Sequence, residues 1–523
     1  MTARRGIPLL VAAVLLATAV VASTASADNK SGFKTSQPAL LACPSCDEVT
    51  PLINVGETLP GGYRFESIPD GIAIGKTNGK GTVDIYVNHE TSLVPFPLPS
   101  STVAGRADFT NSMVSRLRLN QHSAGLLKGD YAIPSSANYQ RFCSNFIVTE
   151  EHGFDRDILL TNEEARDHVN RTGTAWPPTN GAEQPGVVVA LDIKSGAYKS
   201  IYGMGRHNHE NSVGIPGYGY PAILSGDDTF VSNPPESQLY LYLADDREAV
   251  WNDEGTLYAF VANGKNTYYE VAAGDTVTGE FIPVPKQIAT GKRPDGSDVT
   301  RAADYPSFAA PPSGVPDGPQ WVLDQWGNAA NNTAGKNVFD FVRIEDIAYD
   351  RNDPNIVYLA DSGRGSGTNR PNGRIWKMVL DPTDPLTVLS LTILIEGGNA
   401  TGVAADIHQP DNLETTEHSL LIQEDPSSAN QGAPARIWRY DLVTEEREVV
   451  ATIATGGNPS PNAGSWESSG IVDASAALGP GAFLVDVQAH GWEIERFPNP
   501  PVINQVNSMR EAGQLLLLRN TDW

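Results

Sequence analysis

The feature that most constrains the fold is a repeat in the last third of the sequence. One unit reads EDIAYDRNDPNIVYLADSG and then GRIWKMVLD. The next reads PDNLETTEHSLLIQEDP and then ARIWRYDLV. A third reads SSGIVDASAALGPGAFLVDVQAH and then GQLLLLR. Each has a polar opening strand, a turn, a buried strand, an acidic or polar corner, and a further strand led by Gly or Ala. The spacing, roughly 60 to 65 residues, is somewhat above the usual propeller period. Such a unit cannot bury both of its faces alone, so units must stack. The pattern predicts an all-β chain folded as a β-propeller of about six or seven blades, with each polar opening strand innermost against a central channel. A parallel β-helix would repeat on a much shorter period. Two sandwiches give no reason for acids to recur at one place in each unit.

The rest of the chain is consistent with this. Short β-rich runs bounded by Gly, Asn, Asp or Pro predict strands at 82–88, 113–119, 157–162, 186–192, 221–225, 238–243, 256–261 and 267–271. Residues 262–340, rich in Gly, Pro, Asn and Thr, read as an irregular insertion. Residues 28–60 read as a polar leader, and 61–523 as a single propeller domain with long inserted loops. Trp376 and Trp438 hold the same place in successive units, which suits packing between blades.

At the N-terminus, Arg4-Arg5, the apolar run Ile7–Ala22 and Ala25-Ser26-Ala27 make residues 1–27 a signal peptide, with cleavage near Ala27. The expected location is secreted or periplasmic. The arginine pair is compatible with twin-arginine export. Leu40-Leu41-Ala42-Cys43 mimics a lipoprotein box, but polar residues separate it from the apolar run. In an oxidising compartment, Cys43 and Cys46 are expected to form a local disulfide. Cys143 is left over, either a buried inert thiol or a metal ligand.

A formal net charge of −25 argues against nucleic acid as a partner and disfavours anionic membrane surfaces. A soluble monomer acting on a small molecule is expected. The acids are not spread evenly. Asn88-His89-Glu90, Asn162-Glu163-Glu164, His209-Glu210-Asn211, Arg343-Ile344-Glu345-Asp346 and Asp411-Asn412 each lie beside an apolar, β-branched run. If inner strands bring them to one channel, uncompensated carboxylates repel one another. Cations relieve that repulsion, and calcium, which takes six to eight oxygens, suits the set. Fe³⁺ would add the Cys143 thiolate. Solvated turns are the plain alternative for any one of these motifs. His207 and His209, two apart, face one way on a strand, as a metal pair or as ordinary strand histidines. His490 is expected at a blade corner. Asp227-Asp228 and Asp245-Asp246 are expected to end turns or to hold structural calcium.

Taken together, RFCSNF, LLTNEE, GRHNHEN, FVRIEDIAYD and QPDNL, with the upstream NHE, resemble in order the motifs of PhoX-type alkaline phosphatases. The later LLIQEDPSSANQGAPARIWRYDL, SSGIVDAS and FLVDVQAH are similar to secreted members of that superfamily, so the resemblance runs from about residue 60 to 520. It implies a six-bladed propeller, a mixed Fe³⁺ and Ca²⁺ centre, and hydrolysis of phosphate monoesters outside the cytoplasm. By position it implies Cys143, Glu163 or Glu164, Glu210 and Glu345 as iron and shared ligands. Asn88, Glu90, Asp411, Asn412 and the carbonyl of Arg343 would make calcium contacts. The residues around Cys143 depart from the family pattern, and Thr-Asn-Glu-Glu replaces its more common Thr-Cys-Glu-Glu, so calcium is the firmer expectation.

Glu210 and Glu345 would then serve the chemistry, with Arg141 and Arg206 holding phosphate or pairing with the same carboxylates. No GxSxG elbow is evident, which argues against a covalent serine mechanism. The other functions open at this stage are another calcium-dependent propeller hydrolase, lactonase or phytase-like, and a calcium-binding extracellular propeller without catalysis.

Overall fold

The computed structural model describes residues 31–91, 112–165, 169–170, 182–229, 231, 234–363, 373–397, 406–425, 434–454, 466–496 and 509–523. The expected signal peptide, residues 1–27, lies outside them. No helix among the described residues is long and apolar enough to cross a membrane.

The architecture is all-β and propeller-like. Six inner strands, Pro69–Ile74, Phe142–Val148, His209–Gly214, Ile344–Tyr349, Pro410–Thr415 and Glu467–Asp473, each open an antiparallel meander and pack side by side in a closed ring. They are numbered here as the inner strands of units one to six. The third and fourth units are joined at their outer edges, where Val277–Pro283 pairs with Asp384–Glu396, into one nine-stranded sheet.

Period-two alternation explains why the units stack. In Ile356–Asp361 of the fourth unit, Val357 and Leu359 face the third unit's Leu224 and Leu241. Tyr358 and Ala360 face the fifth unit's Leu420 and Ile422. Successive side chains point to opposite faces, so one apolar strand serves two interfaces. Leu159 and Leu160 divide in the same way between the first and third units. Each fully buried Leu, Ile or Val contributes roughly 1.5–3 kcal/mol. The matching tryptophans also agree in detail. The Trp376 indole donates to Asp361 at 3.2 Å and the Trp438 indole to Glu424 at 2.8 Å, with Arg374 and Arg436 over the respective rings.

The ring closes through the N-terminal segment, which corrects the reading of 28–60 as a leader. Glu48–Asn54 forms the outer strand of the sixth unit, paired with Met509–Arg519, and Leu41–Ala42 adds an edge to the fifth. The physical reason is apolar: Leu41, Leu52 and Ile53 are buried in the last two interfaces. The Cys43–Cys46 disulfide forms beside this crossing. The expected strand at 267–271 is instead a single turn, Tyr268–Glu270. Tyr268 is buried there under the Arg374 guanidinium, 3.9 Å from its ring. The insertion is more regular than its composition suggested. It supplies the joining strand and three short helices, Lys286–Thr290, Arg301–Asp304 and Pro319–Trp326. Ile288, Val322 and Trp326 pack in the same apolar cluster as Tyr240 and Leu257 of the third unit.

Candidate metal centre

The inner strands share a local irregularity that builds the site. In units one to five the ladder to the second strand slips by one residue near the strand start. The slips fall between Pro69 and Ile72, Phe142 and Asn145, His209 and Ser212, Ile344 and Ile347, and Pro410 and Leu413. The first residues inside these bulges are Asp70, Cys143, Glu210, Glu345 and Asp411. In four units the residue two places earlier has a positive φ: Ile68 at 51°, Arg141 at 45°, Arg343 at 105° and Gln409 at 46°. Holding non-glycine residues there costs of order 1–3 kcal/mol each, a strain that persists only where the surroundings fix it. Bulges re-aim side chains out of the ladder, and here five of them converge.

Around them lie five overlapping groups whose ligand atoms are within 4.8 Å of one another: Asp70–Cys143–Glu210, Glu90–Cys143–Glu164, Glu164–Glu210–Asp228, Glu210–Glu345–Asp411 and Asp411–Asp425–Glu467. The Cys143 sulfur lies 2.8 Å from Asp70 Oδ2 and 2.7 Å from Glu210 Oε1. Its single hydrogen can serve only one of them. Arg343 grips Asp228 with two bonds, 2.7 and 2.8 Å, and reaches Glu345 at 3.0 Å. Ser362 donates to the same Glu345 oxygen. His490 bridges Glu467 at 3.6 Å and Glu511 at 3.0 Å, which raises its pKa well above the ordinary value against the effect of burial.

Burial first, then mutual repulsion, pushes Glu164, Glu210 and Asp411 well above the usual carboxylate range. Burial likewise raises Glu345, despite Arg343 beside it, and Glu467, despite His490. Burial and the surrounding acids also raise the Cys143 thiol.

The donor set suits hard cations. It is carboxylate oxygen throughout, with one sulfur and no histidine inside any group. Two buried amide oxygens, Asn208 Oδ1 and Asn412 Oδ1, have no hydrogen-bond partner among the described residues. Beneath the centre the channel continues as a cavity of about 540 Å³. Its ceiling is formed by the second bulge residues, Gly71, Ser144, Asn211, Asp346 and Asn412, and by Gly470 of unit six.

Of the residues expected from sequence, Glu90, Cys143, Glu164, Glu210, Glu345 and Asp411 come together. Others do not serve as expected. Glu163 points to the other face of its strand and accepts the Gln140 N–H at 2.9 Å. Asn88 acts from behind, donating to the Cys143 carbonyl at 2.6 Å and to Thr161 Oγ1 at 2.8 Å. The Arg343 carbonyl takes the Ser362 N–H at 3.0 Å, so the guanidinium is the part of that residue at the centre. Asn412 donates to Ser144 Oγ at 3.0 Å, and its buried oxygen has no hydrogen-bond partner among the described residues. Arg206 is fully buried against the insertion, 3.3 Å from Asp298 and over the Tyr202 ring, with its charge engaged there. Arg141 stays at the rim, where its charge acts on Glu90 and Glu164. His207 and His209 lie with ring centroids 3.5 Å apart and planes tilted by 35°, both fully buried and outside every acid group.

Sequence reasoning passed over Asp70, Asp425 and Glu467, and gave Asp228 only a turn or structural-calcium role. A signal for Asp70 was present: Ile68-Pro69-Asp70-Gly71 has the form of Gln409-Pro410-Asp411-Asn412.

No protein-family model matches the sequence, and no curated protein does. Solved structures do match. A PQQ-bound aldose sugar dehydrogenase from Streptomyces coelicolor is 11% identical, covering 91% of this chain and 99% of its own, with a TM-score of 0.31. A NanB structure with Optactamide is 8% identical, covering 87% and 68%, with a TM-score of 0.39. A mutant Trypanosoma rangeli sialidase with trans-sialidase activity is 9% identical, covering 92% and 59%, with a TM-score of 0.33. At these identities none of them carries chemistry to this chain.

Proposed function

We propose that this chain is an exported, metal-dependent phosphatase that hydrolyses phosphate monoesters at a calcium centre, with iron held through Cys143. One observation carries the reading. Nine carboxylates (Asp70, Glu90, Glu164, Glu210, Asp228, Glu345, Asp411, Asp425 and Glu467) and one thiol converge at the starts of the inner strands. Arg343, Arg141 and His490 are the cationic side chains set against them among the described residues. Such a cluster repels itself and would repel a dianionic phosphate. Bound cations would reverse the local sign, hold the phosphoryl oxygens and lower the barrier to attack by an oxygen nucleophile.

The chain's own part is to hold the ligand atoms in place. Glu210, shared by three of the groups, is the hub. Arg343 bridges Asp228 and Glu345 and offsets their repulsion, and Arg141 offers positive charge at the rim for an incoming phosphate. The resemblance of the ordered motifs to PhoX-type phosphatases supports the substrate class.

The test is the metal content of purified protein together with turnover of p-nitrophenyl phosphate before and after chelation. Iron plus calcium with chelator-sensitive hydrolysis is the expected result. Calcium alone with lactone turnover would replace this reading by a lactonase. Tight calcium without turnover of either substrate would leave a binding propeller.

A further inference from the structure

Five of the six inner strands place a ligand-type side chain at the first bulge position, and the sixth does not. Its ladder pairs Ser469 with Asp486 and Ile471 with Val485, slipping at Gly470. Matching Ile471 to Leu413 of the fifth unit puts Ser469 where that unit has Asp411. The sixth and first strands approach closely at this point. Gly470 has φ 37°, and a Cβ there would come within 2.5 Å of the Asp70 carbonyl oxygen.

We propose that Ser469 is a positioning residue that fixes which oxygen of Asp70 faces the cation site. This rests on the metal reading above. Ser469 Oγ donates to Asp70 Oδ1 at 2.7 Å. Gln488 Nε2 donates to Ser469 Oγ at 3.1 Å and lies 3.5 Å from Glu90 Oε2. A carboxylate beside the Gln488 amide selects the orientation with NH₂ toward Glu90, because an amide oxygen there would be repelled. With its oxygen already accepting from Gln488, the serine hydroxyl turns its hydrogen to Asp70. Asp70 Oδ1 is thereby engaged, and Oδ2, 2.8 Å from Cys143 Sγ, is the oxygen left for a cation shared with Cys143 and Glu210. At the first bulge position the sixth unit thus contributes orientation where the other five contribute ligands; its own carboxylate in the set is Glu467, two residues earlier.

Partners behind a metal ligand typically change affinity by about 10–100-fold. The experiment is a calcium titration of the full chain by calorimetry, on wild type, Ser469→Ala and Ser469→Thr, with the melting temperature of each chelated protein measured alongside. The proposal expects Ser469→Ala to bind about 10–100-fold more weakly, Ser469→Thr to recover most of that loss, and the three chelated proteins to melt alike. Wild-type affinity in Ser469→Ala, failure of Ser469→Thr to rescue, or a chelated Ser469→Ala that has lost its fold would each overturn it. A wild-type chain that binds no calcium would overturn the metal reading itself, which separates the two failures.

Discussion

Two buried carboxylate sites in neighbouring parts of the ring are treated in opposite ways. Glu424, fully buried in the fifth unit, takes bonds from His408 Nδ1 at 3.0 Å, Trp438 Nε1 at 2.8 Å and Arg436 through both Nε and Nη2 at 2.8 Å. Burial alone would raise its pKa, but the bonds and charges of His408 and Arg436 hold it below the ordinary value. At the starts of the inner strands, nine acids share far less positive charge, and Glu164, Glu210 and Asp411 are pushed well up. Leaving a buried charge unpaired costs several kcal/mol. This chain neutralises a buried acid with its own side chains where the acid only ties strands together. On the channel, under the proposed reading, that neutralisation is left to bound cations.

The largest effect that would break the contrast lies at the compensated site. Glu424→Gln strips Arg436 of its counter-charge and should destabilise the fold by about 3–5 kcal/mol, measured by chemical denaturation, with calcium affinity unchanged. At the channel the pattern should reverse. Glu210→Gln should weaken calcium binding by at least about 100-fold, because affinity follows ligand charge, while leaving the chelated protein no less stable. If both variants lose stability alike, the two sites do not differ in kind.

A smaller effect concerns pH. Burial pushes Asp346 and Asp361 up to about 7. A carboxyl whose folded pKa is raised adds stability fully below its unfolded value, near 3.8, and loses it as pH rises through about 7. The chelated protein should therefore melt lower at pH 8 than at pH 5. A chelated melting temperature that is flat or rising over that range would contradict the account. The smallest effect on turnover is expected from Arg206→Met, since that side chain packs against the insertion rather than the centre, although loss of its buried pair with Asp298 lowers stability. Its kcat/KM should stay within about twofold of wild type.

The fold was legible because it is written in short-range pattern. The ARIW and GRIW strands, the turns and the alternating apolar runs each specify one strand, and the stacking follows from their two apolar faces. The N-terminal strands were not legible. Leu52 and Ile53 form a short apolar run, and their partners lie more than 450 residues away in sequence. For the site, motifs with an acid next to Asn or another acid stood out, and most of them converge. Adjacent acids such as Glu163 and Glu164 could not be ranked until the strand direction showed which one faced the channel. Asp70, in the string IPDGIAI, shares only a Pro-Asp pair with QPDN, too short a signal to weigh until the bulge register aligned it with Asp411. Arg206 misled because flanking a ligand motif in sequence says nothing about the face on which a long side chain packs.

The most direct test of the central claim is the cation content of the purified chain, measured by metal analysis before and after chelation, with the melting temperature followed through calcium readdition at pH 8. The account predicts at least one tightly held divalent or trivalent cation per chain, a lower melting temperature once it is removed, and recovery on adding calcium. A chain isolated without metal, whose melting neither chelator nor calcium moves, would contradict it.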